Sequence, residues 1–456
     1  MGSANPTALF KALDDKLKVD DLIPGALKAA GAMGVVGLLL CALFSLWNPT
    51  RLAAAYLQGF CFLLSLTLGA LFFVMVQHLT RAGWSVTVRR VAEILASNVL
   101  LMALLFIPLV PMIGYGYLQP KATYPSLLKK QEAAAHHGAE AAHGGEAAHG
   151  AAAGHGDHGG AHDSAWKTGP HLPGVAHATM DKAKKWWLSF WPLVCRMAIY
   201  FFIWISLSRF FLGKSVQQDE SKDPAITNSM QRWAPLGVVL FGLTVCLAGF
   251  DLLMALDPYW YSTMFGVYFF AGGFLSFFAT LNLTLFLLRS KGVAAEAITP
   301  EHYHDTGKFM FAFTVFWAYI GFSQYMLIWY GNIPEETGWF LIRQTGGWKW
   351  ISALLILGHF VVPFFLVMSR WPKRQPALLA LLSVYILGMH FLDMFWLVSP
   401  QKSPLGVVPV PLMDFFLLIF MIAIYAAFTI SVGMRGKNMI PTGDPRLIEA
   451  VHFHNQ

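Results

Sequence analysis

Ten apolar stretches, each about 20 residues long, leave this chain one kind of fold. They cover residues 29–47, 52–77, 92–114, 187–211, 233–256, 263–288, 307–330, 349–368, 376–397 and 411–432. About 20 apolar residues wound as a helix span the ~30 Å of bilayer hydrocarbon. A helix also pairs every backbone N–H and C=O internally, which lipid demands because it offers no partner. The chain therefore reads as an all-α polytopic membrane protein with ten transmembrane helices. Only 12% of its residues are charged and 56% are hydrophobic, where a globular chain carries about 25% charged residues. An ionisable residue inside a span costs at least ~2.5 kcal/mol to insert, so it faces protein, a partner or a water path.

Lysine and arginine set the orientation. With the N-terminus inside, the cytoplasmic segments hold eighteen: Lys11, Lys16, Lys18, Lys28, Arg81, Arg89, Arg90, Lys214, Lys222, Arg232, Arg289, Lys291, Arg370, Lys373, Arg374, Arg435, Lys437 and Arg446. The short outer loops hold four: Arg51, Arg343, Lys349 and Lys402. Both termini are expected in the cytoplasm. The chain then divides into a cytoplasmic segment (1–28), helices one to three (29–114), a periplasmic loop (115–186), helices four to ten (187–432) and a cytoplasmic tail (433–456). The first apolar run lacks a small-residue cleavage site and reads as a retained start-transfer helix. The net charge of +7 follows from the positive inner side, and nothing else favours nucleic acid.

Two features bear on metal and redox chemistry. Cys41, Cys61, Cys195 and Cys246 all lie in apolar runs and no C-x-x-C-H occurs, which argues against a disulfide framework, a cysteine-ligated cluster or a covalently attached haem. The loop 115–186 is an Ala/Gly/His/Glu tract with His136, His137, His143, His149, His155, His158, His162, His171 and His177. Imidazole-rich tracts can bind Zn²⁺ or Cu²⁺, but this irregular spacing favours a flexible polar linker.

A repeat organises the spans. Phe-Asp-Leu-Leu-Met-Ala-Leu-Asp-Pro at 250–258 is echoed by Leu-Asp-Met-Phe-Trp-Leu-Val-Ser-Pro at 392–400, an offset of 142. Ser208-Arg209-Phe210 likewise corresponds to Ser369-Arg370-Trp371, each just before the linker into an Asp-bearing helix. The basic turns His78–Arg90 and Arg289–Lys308 both lead into helices with an acid near the start, Glu93 or Asp305. Spans 2–5 and 6–9 are read as two related four-helix bundles, with spans 1 and 10 as outer helices. The competing explanation is chance similarity of apolar segments. Because both copies enter the membrane from one side, the repeats are parallel rather than inverted.

The stretch His304-Asp305-Thr306-Gly307-Lys308-Phe309-Met310-Phe311-Ala312-Phe313 continues through Phe316-Trp317-Ala318-Tyr319-Ile320, Phe322-Ser323-Gln324-Tyr325 and Trp329-Tyr330-Gly331-Asn332-Ile333-Pro334-Glu335-Glu336. It resembles one of the two paralogous integral membrane subunits of bacterial alternative complex III, the one on which quinol oxidation is not usually placed. That family is similar to the polysulfide reductase membrane subunits. Leu256-Asp257-Pro258 followed by Trp260-Tyr261-Ser262-Thr263-Met264-Phe265-Gly266-Val267-Tyr268-Phe269 carries the same resemblance. It extends over nearly all ten spans, with the His-rich loop as an insertion. It implies a bacterial inner-membrane subunit of a quinol:cytochrome c oxidoreductase. The implied partners are a multihaem cytochrome c subunit, an iron–sulfur subunit, a paralogous membrane subunit and a terminal oxidase. It further implies menaquinone or ubiquinone as quinol, and haem c and iron–sulfur clusters on the partner subunits. No cofactor and no catalytic residue is expected on this chain, since quinol chemistry in that family is placed on the paralogue. The role left to this subunit is proton translocation.

The ionisable residues sort by depth. His78, Glu93, His304, Asp305 and Lys308 lie towards the cytoplasm, with His359 near the midplane. Asp251, Asp257, His390 and Asp393 lie towards the periplasm, Asp257 at the rim beside Pro258, Tyr259, Trp260 and Tyr261. His390 and Asp393 are three apart, hence on one helix face, and imidazole beside carboxylate passes protons at physiological pH. Ser323, Gln324, Tyr319 and Ser97 supply groups that hold bridging waters. Asp305 with Lys308 also fits a structural ion pair, and Arg196 a counter-ion for Asp251. Other functions compete. A b-type cytochrome needs facing histidines at matched depth, for which His359 and His390 are the credible pair. A secondary ion transporter needs helices broken in both halves, weakly met by Pro363 and Gly272-Gly273. Trp317, Trp329, Tyr330 and Trp396 are candidates for stacking on a quinone ring.

Overall fold

A computed structural model describes residues 16–45, 49–114 and 182–454. The His-rich tract, with its nine histidines, lies outside the described residues. So do residues 1–15 of the N-terminal segment.

The chain opens with α1 (Ile23–Ser45) and α2 (Pro49–Leu79). The stretch expected as a third span is three consecutive helices, α3 (Val86–Ser97), α4 (Val99–Phe106) and α5 (Leu109–Gly114). The breaks have local causes. Asn98 turns tightly, its N–H bonding Leu95 O at 3.2 Å while its side chain donates to Thr429 Oγ1 at 2.7 Å. Pro108, which has no N–H to give, separates α4 from α5. After α6 (Lys182–Trp187) come α7 (Phe190–Ser221), α8 (Pro224–Leu252), α9 (Phe265–Ser290), α10 (Pro300–Gly331) and α11 (Pro334–Gln344). α12 (Trp348–Leu355) runs through a π-helical turn, Ile356–Val361, into α13 (Val362–Met368). α14 (Arg370–Arg374), α15 (Pro376–Val398), α16 (Leu412–Phe428) and α17 (Leu447–Val451) complete the chain. Among the described residues nine helices are long and apolar enough to cross a membrane. Ten were expected, and the interrupted segment 86–114 accounts for the difference.

Helix starts follow from capping chemistry. Asp223 accepts from Ala225 N at 2.9 Å ahead of Pro224, and Thr299 with His302 forms a reciprocal cap ahead of Pro300. Each satisfies N–H groups the helix cannot, and proline at the first position gives up none that is needed.

Packing follows the repeat. α2, α3–α4, α7 and α8 close one ring of neighbours, and α9, α10, α12–α13 and α15 close a second. The rings meet where α2 packs on α9, and this seam is flanked by α8 on α9 and by α2 on α15. Those flanking contacts exchange under the repeat: span 5 on span 6, and span 9 on span 2. α1 and α16 pair with each other, and α16 leans on α2.

Small residues make the central seam. A Cβ on Gly273 would lie 2.9 Å from Ser65 Cβ, and one on Gly69 would lie 2.6 Å from Phe277 Cβ. Without a hydrophobic drive between helices in lipid, such close backbone approach supplies the contact energy. Residue 65 meets 273 and residue 69 meets 277, so numbers rise together and the two helices run parallel.

The first described residues and the segment after α16 lie on one face of the bundle. Ala294 N bonds Lys16 O and Met439 N bonds Leu17 O, each at 2.8 Å, while Gly436 N bonds Asp20 Oδ1 at 2.8 Å. The opposite face is tied by Arg51 to Asp414 at 2.7 Å and by Trp260 Nε1 to Glu336 O at 3.0 Å.

Candidate functional site

The π turn within span 8 is the local distortion that builds the site. Pro363 has no N–H to return to the carbonyl of His359, so the helix relaxes there into a wider turn centred on that histidine. His359 thereby reaches Trp317 of α10, ring centroids 4.1 Å apart. The same indole donates from Nε1 to Asp393 Oδ2 at 3.2 Å, and Tyr268 of α9 donates to Oδ1 at 2.6 Å. One turn before Asp393, His390 places Nε2 2.9 Å from Ser65 Oγ of α2, and Ser65 donates to Phe62 O at 2.7 Å. The two imidazole centroids are 6.3 Å apart. Glycine again permits the approach: a Cβ on Gly272 would lie 3.2 Å from His390 Cε1 and 3.4 Å from Trp317 Cδ1.

Ser65, Tyr268, Trp317, His359, His390 and Asp393 are all buried. Both ring nitrogens of His359, and Nδ1 of His390, have no hydrogen-bond partner. Asp393 forms no ion pair among the described residues, and its donors are a phenol and an indole. Neutral donors accompany either protonation state of a carboxyl, whereas an arginine partner requires the anion. The arrangement can therefore take up and release a proton in place.

Asp251, the repeat partner of Asp393, also accepts from a tyrosine and a tryptophan but has an arginine besides. Arg196 grips it from two nitrogens, at 2.9 and 2.7 Å, and Tyr200 and Trp187 each donate at 3.0 Å. The guanidinium also lies 3.9 Å over the Trp187 ring. The offset between Ser208 and Ser369 is 369 − 208 = 161, which carries Arg196 onto Leu357. The second copy thus lacks the arginine and has His359 two residues further on.

The remaining expected residues fall into separate groups. Glu93 accepts from Arg89 at 3.2 Å and Arg90 at 3.1 Å; Arg89 also bonds Asp444 at 2.5 Å and Arg90 bonds Asp219 at 2.8 Å. This network clamps the C-terminal tail to α3 and α7. Burial opposes ionisation of Asp444, but Arg89 and Arg446 outweigh it and hold the carboxyl well below its usual range. His78 is stacked on Phe211, centroids 5.4 Å apart, with both nitrogens unpartnered. Asp305 pairs with Lys308 near the start of α10, and His304 lies beside them with Nδ1 unpartnered. Asp257 sits in the connection after α8, where burial raises its pKa; it accepts from Tyr259 N at 3.2 Å and Gln401 at 3.4 Å. Gln324 is buried two turns beyond Trp317, and Ser323 is half-buried.

Of the twelve expected site residues, the structure brings three together: His359, His390 and Asp393. It adds Tyr268, Trp317 and Ser65. Tyr268 and Ser65 had no signal in the sequence, since their roles depend on α9 and α2 meeting α15. Tyr319 is exposed on the outside of α10 and Ser97 spends its hydroxyl on Ile94 O at 2.6 Å. Trp329 and Tyr330 also point outward, while Trp396 donates to Ser352 at 2.8 Å. The four candidate quinone-stacking aromatics therefore do not form one patch. Trp317 lies against the His359 ring, centroids 4.1 Å apart, and Phe62 against the His390 ring, centroids 5.5 Å apart. Among the described residues no group of three or more His, Cys, Asp or Glu is arranged to hold a metal ion.

No protein-family model and no curated protein matches this chain.

Proposed function

We propose that this chain is the proton-conducting membrane subunit of a quinol:cytochrome c oxidoreductase resembling alternative complex III, in a bacterial inner membrane with both termini cytoplasmic. The observation that carries the proton role is the buried Asp393 carboxyl, held by two neutral donors beside His390 and His359. A buried carboxyl without a counter-ion costs several kcal/mol to keep ionised. Such a carboxyl suits a site where its titration does work, and the imidazole pair beside it, centroids 6.3 Å apart, supplies the relay. Asp251, neutralised by Arg196, takes a supporting part in the first bundle. The respiratory assignment rests on the resemblance, which puts haem c, iron–sulfur clusters and quinol oxidation on partner subunits and leaves this one without a redox group.

The test of the assignment is the native assembly. Affinity purification of the full chain from its own membrane should bring down a multihaem cytochrome, an iron–sulfur subunit and a second membrane subunit. Stripping those partners should leave a chain without a Soret band. Recovery of the chain alone, or a stoichiometric b-type spectrum after stripping, would overturn it.

A further inference from the structure

Cations crowd one corner of the face that carries Lys16 and Met439. Lys308, Lys373 and Arg370 all act electrostatically on His304 at the start of α10. The acids in the corner are committed: Asp305 to Lys308, and Glu301 to Arg374. Arg370 is exposed and forms no ion pair among the described residues. Lys373 lies across Gly307, where a Cβ would be 2.8 Å from its Cγ, and donates to Val367 O and Met368 O at 3.0 Å each, capping the end of α13. Burial first, then Lys308 and Arg370, push its ammonium below the ordinary lysine value. His304 Nδ1 is buried and has no hydrogen-bond partner. Two carboxylates against Lys308, Arg370, Lys373 and Arg374 leave the corner with a net positive charge that an anion would offset.

The surroundings specify the anion. α13, whose sequence is apolar, leads away from this corner with Met368 and Phe365 exposed, and Trp371 is exposed just past its end, where indoles commonly mark the lipid–water boundary. We propose that this corner binds the headgroup of an anionic phospholipid, with its phosphate against Lys308, Arg370 and His304 and its acyl chains along Phe365 and Met368. Basic pockets between helices at a membrane face recognise lipids in this way. The site does not depend on the redox assignment.

Native mass spectrometry of the purified full chain in detergent tests this, with phosphatidylglycerol and phosphatidylcholine offered together. The wild type should retain phosphatidylglycerol preferentially. Arg370→Gln should cut that preference at least about fivefold, the worth of one cation near an anionic headgroup. Arg209→Gln, at the equivalent exposed position of the first bundle, should leave it unchanged. Phosphatidylglycerol with brominated chains should also quench the wild type more than Trp371→Phe, a readout that survives if Arg370→Gln is poorly folded. Equal retention of the two lipids, an undiminished preference in Arg370→Gln, or displacement of the lipid by excess inorganic phosphate would each overturn the proposal, the last by showing a site for soluble anions.

Discussion

Arg196→Gln separates a carboxylate that needs its counter-ion from one that does not. In the native protein Asp251 is fully buried, and the Arg196 side chain keeps only 13% exposure. Glutamine removes the charge and both bonds at 2.9 and 2.7 Å, leaving Tyr200 and Trp187 as donors. Removing one partner of a buried pair costs ~3–5 kcal/mol. The two surviving donors and the partial exposure of Arg196 place the loss at the lower end, about 3 kcal/mol, or roughly two powers of ten in the folding equilibrium. Loss of the guanidinium over Trp187 adds ~0.5–1 kcal/mol. SDS-titration unfolding of the purified protein should show this drop. The double variant Arg196→Gln/Asp251→Asn should recover at least about half of it, because the orphaned charge is gone. An Arg196→Gln midpoint equal to wild type, or a double variant no better than the sum of the singles, would refute the ion-pair account of Asp251.

Two further outcomes follow from named contacts. Asp444→Asn should release the tail at neutral pH, read as faster amide exchange over residues 439–451. Because the folded Asp444 value is depressed, its contribution is complete above the ordinary carboxylate value of ~3.9 and is lost as the pH falls from there towards the depressed value, so wild-type protection should fade only in that acid range. Gly273→Ala should destabilise the protein by ~1–3 kcal/mol through overpacking, since the new Cβ meets Ser65 Cβ at 2.9 Å and Ser65 O at 3.0 Å. Gly388→Ala, with nothing within 4 Å, should cost nothing measurable in the same unfolding assay.

Much of the architecture was legible because lipid allows so few structures. Apolar runs of one length required helices, and the echo of 250–258 in 392–400 pointed to paired bundles whose neighbours the structure shows. The broken third span escaped, since Pro108 was readable as a break but the tight turn at Asn98 depends on Thr429, far along the chain. The site was half legible. His390 and Asp393 share a face by spacing alone, and Arg196 was readable as a counter-ion for Asp251, but the donors to Asp393 were not. Both carboxyls accept from a tyrosine and a tryptophan; the difference is the arginine on α7 that grips Asp251 and has no counterpart at Asp393. Those donors depend on which helices meet, and a repeat with diverged partners hides that from any one segment. Glu93 stood out as an acid within an apolar run, and its clamp between Arg89 and Arg90 became visible only once the tail and α7 were in place.

The central claim is that Asp393 carries a proton for the complex, and Asp393→Asn tests it most directly. Asparagine keeps the shape and one acceptor for Tyr268 or Trp317 while removing the titratable group, so insertion and assembly should be preserved. In vesicles containing the whole assembly, quinol-driven electron transfer should persist while the coupled pH change falls. Unchanged proton coupling at an unchanged electron-transfer rate would contradict the account.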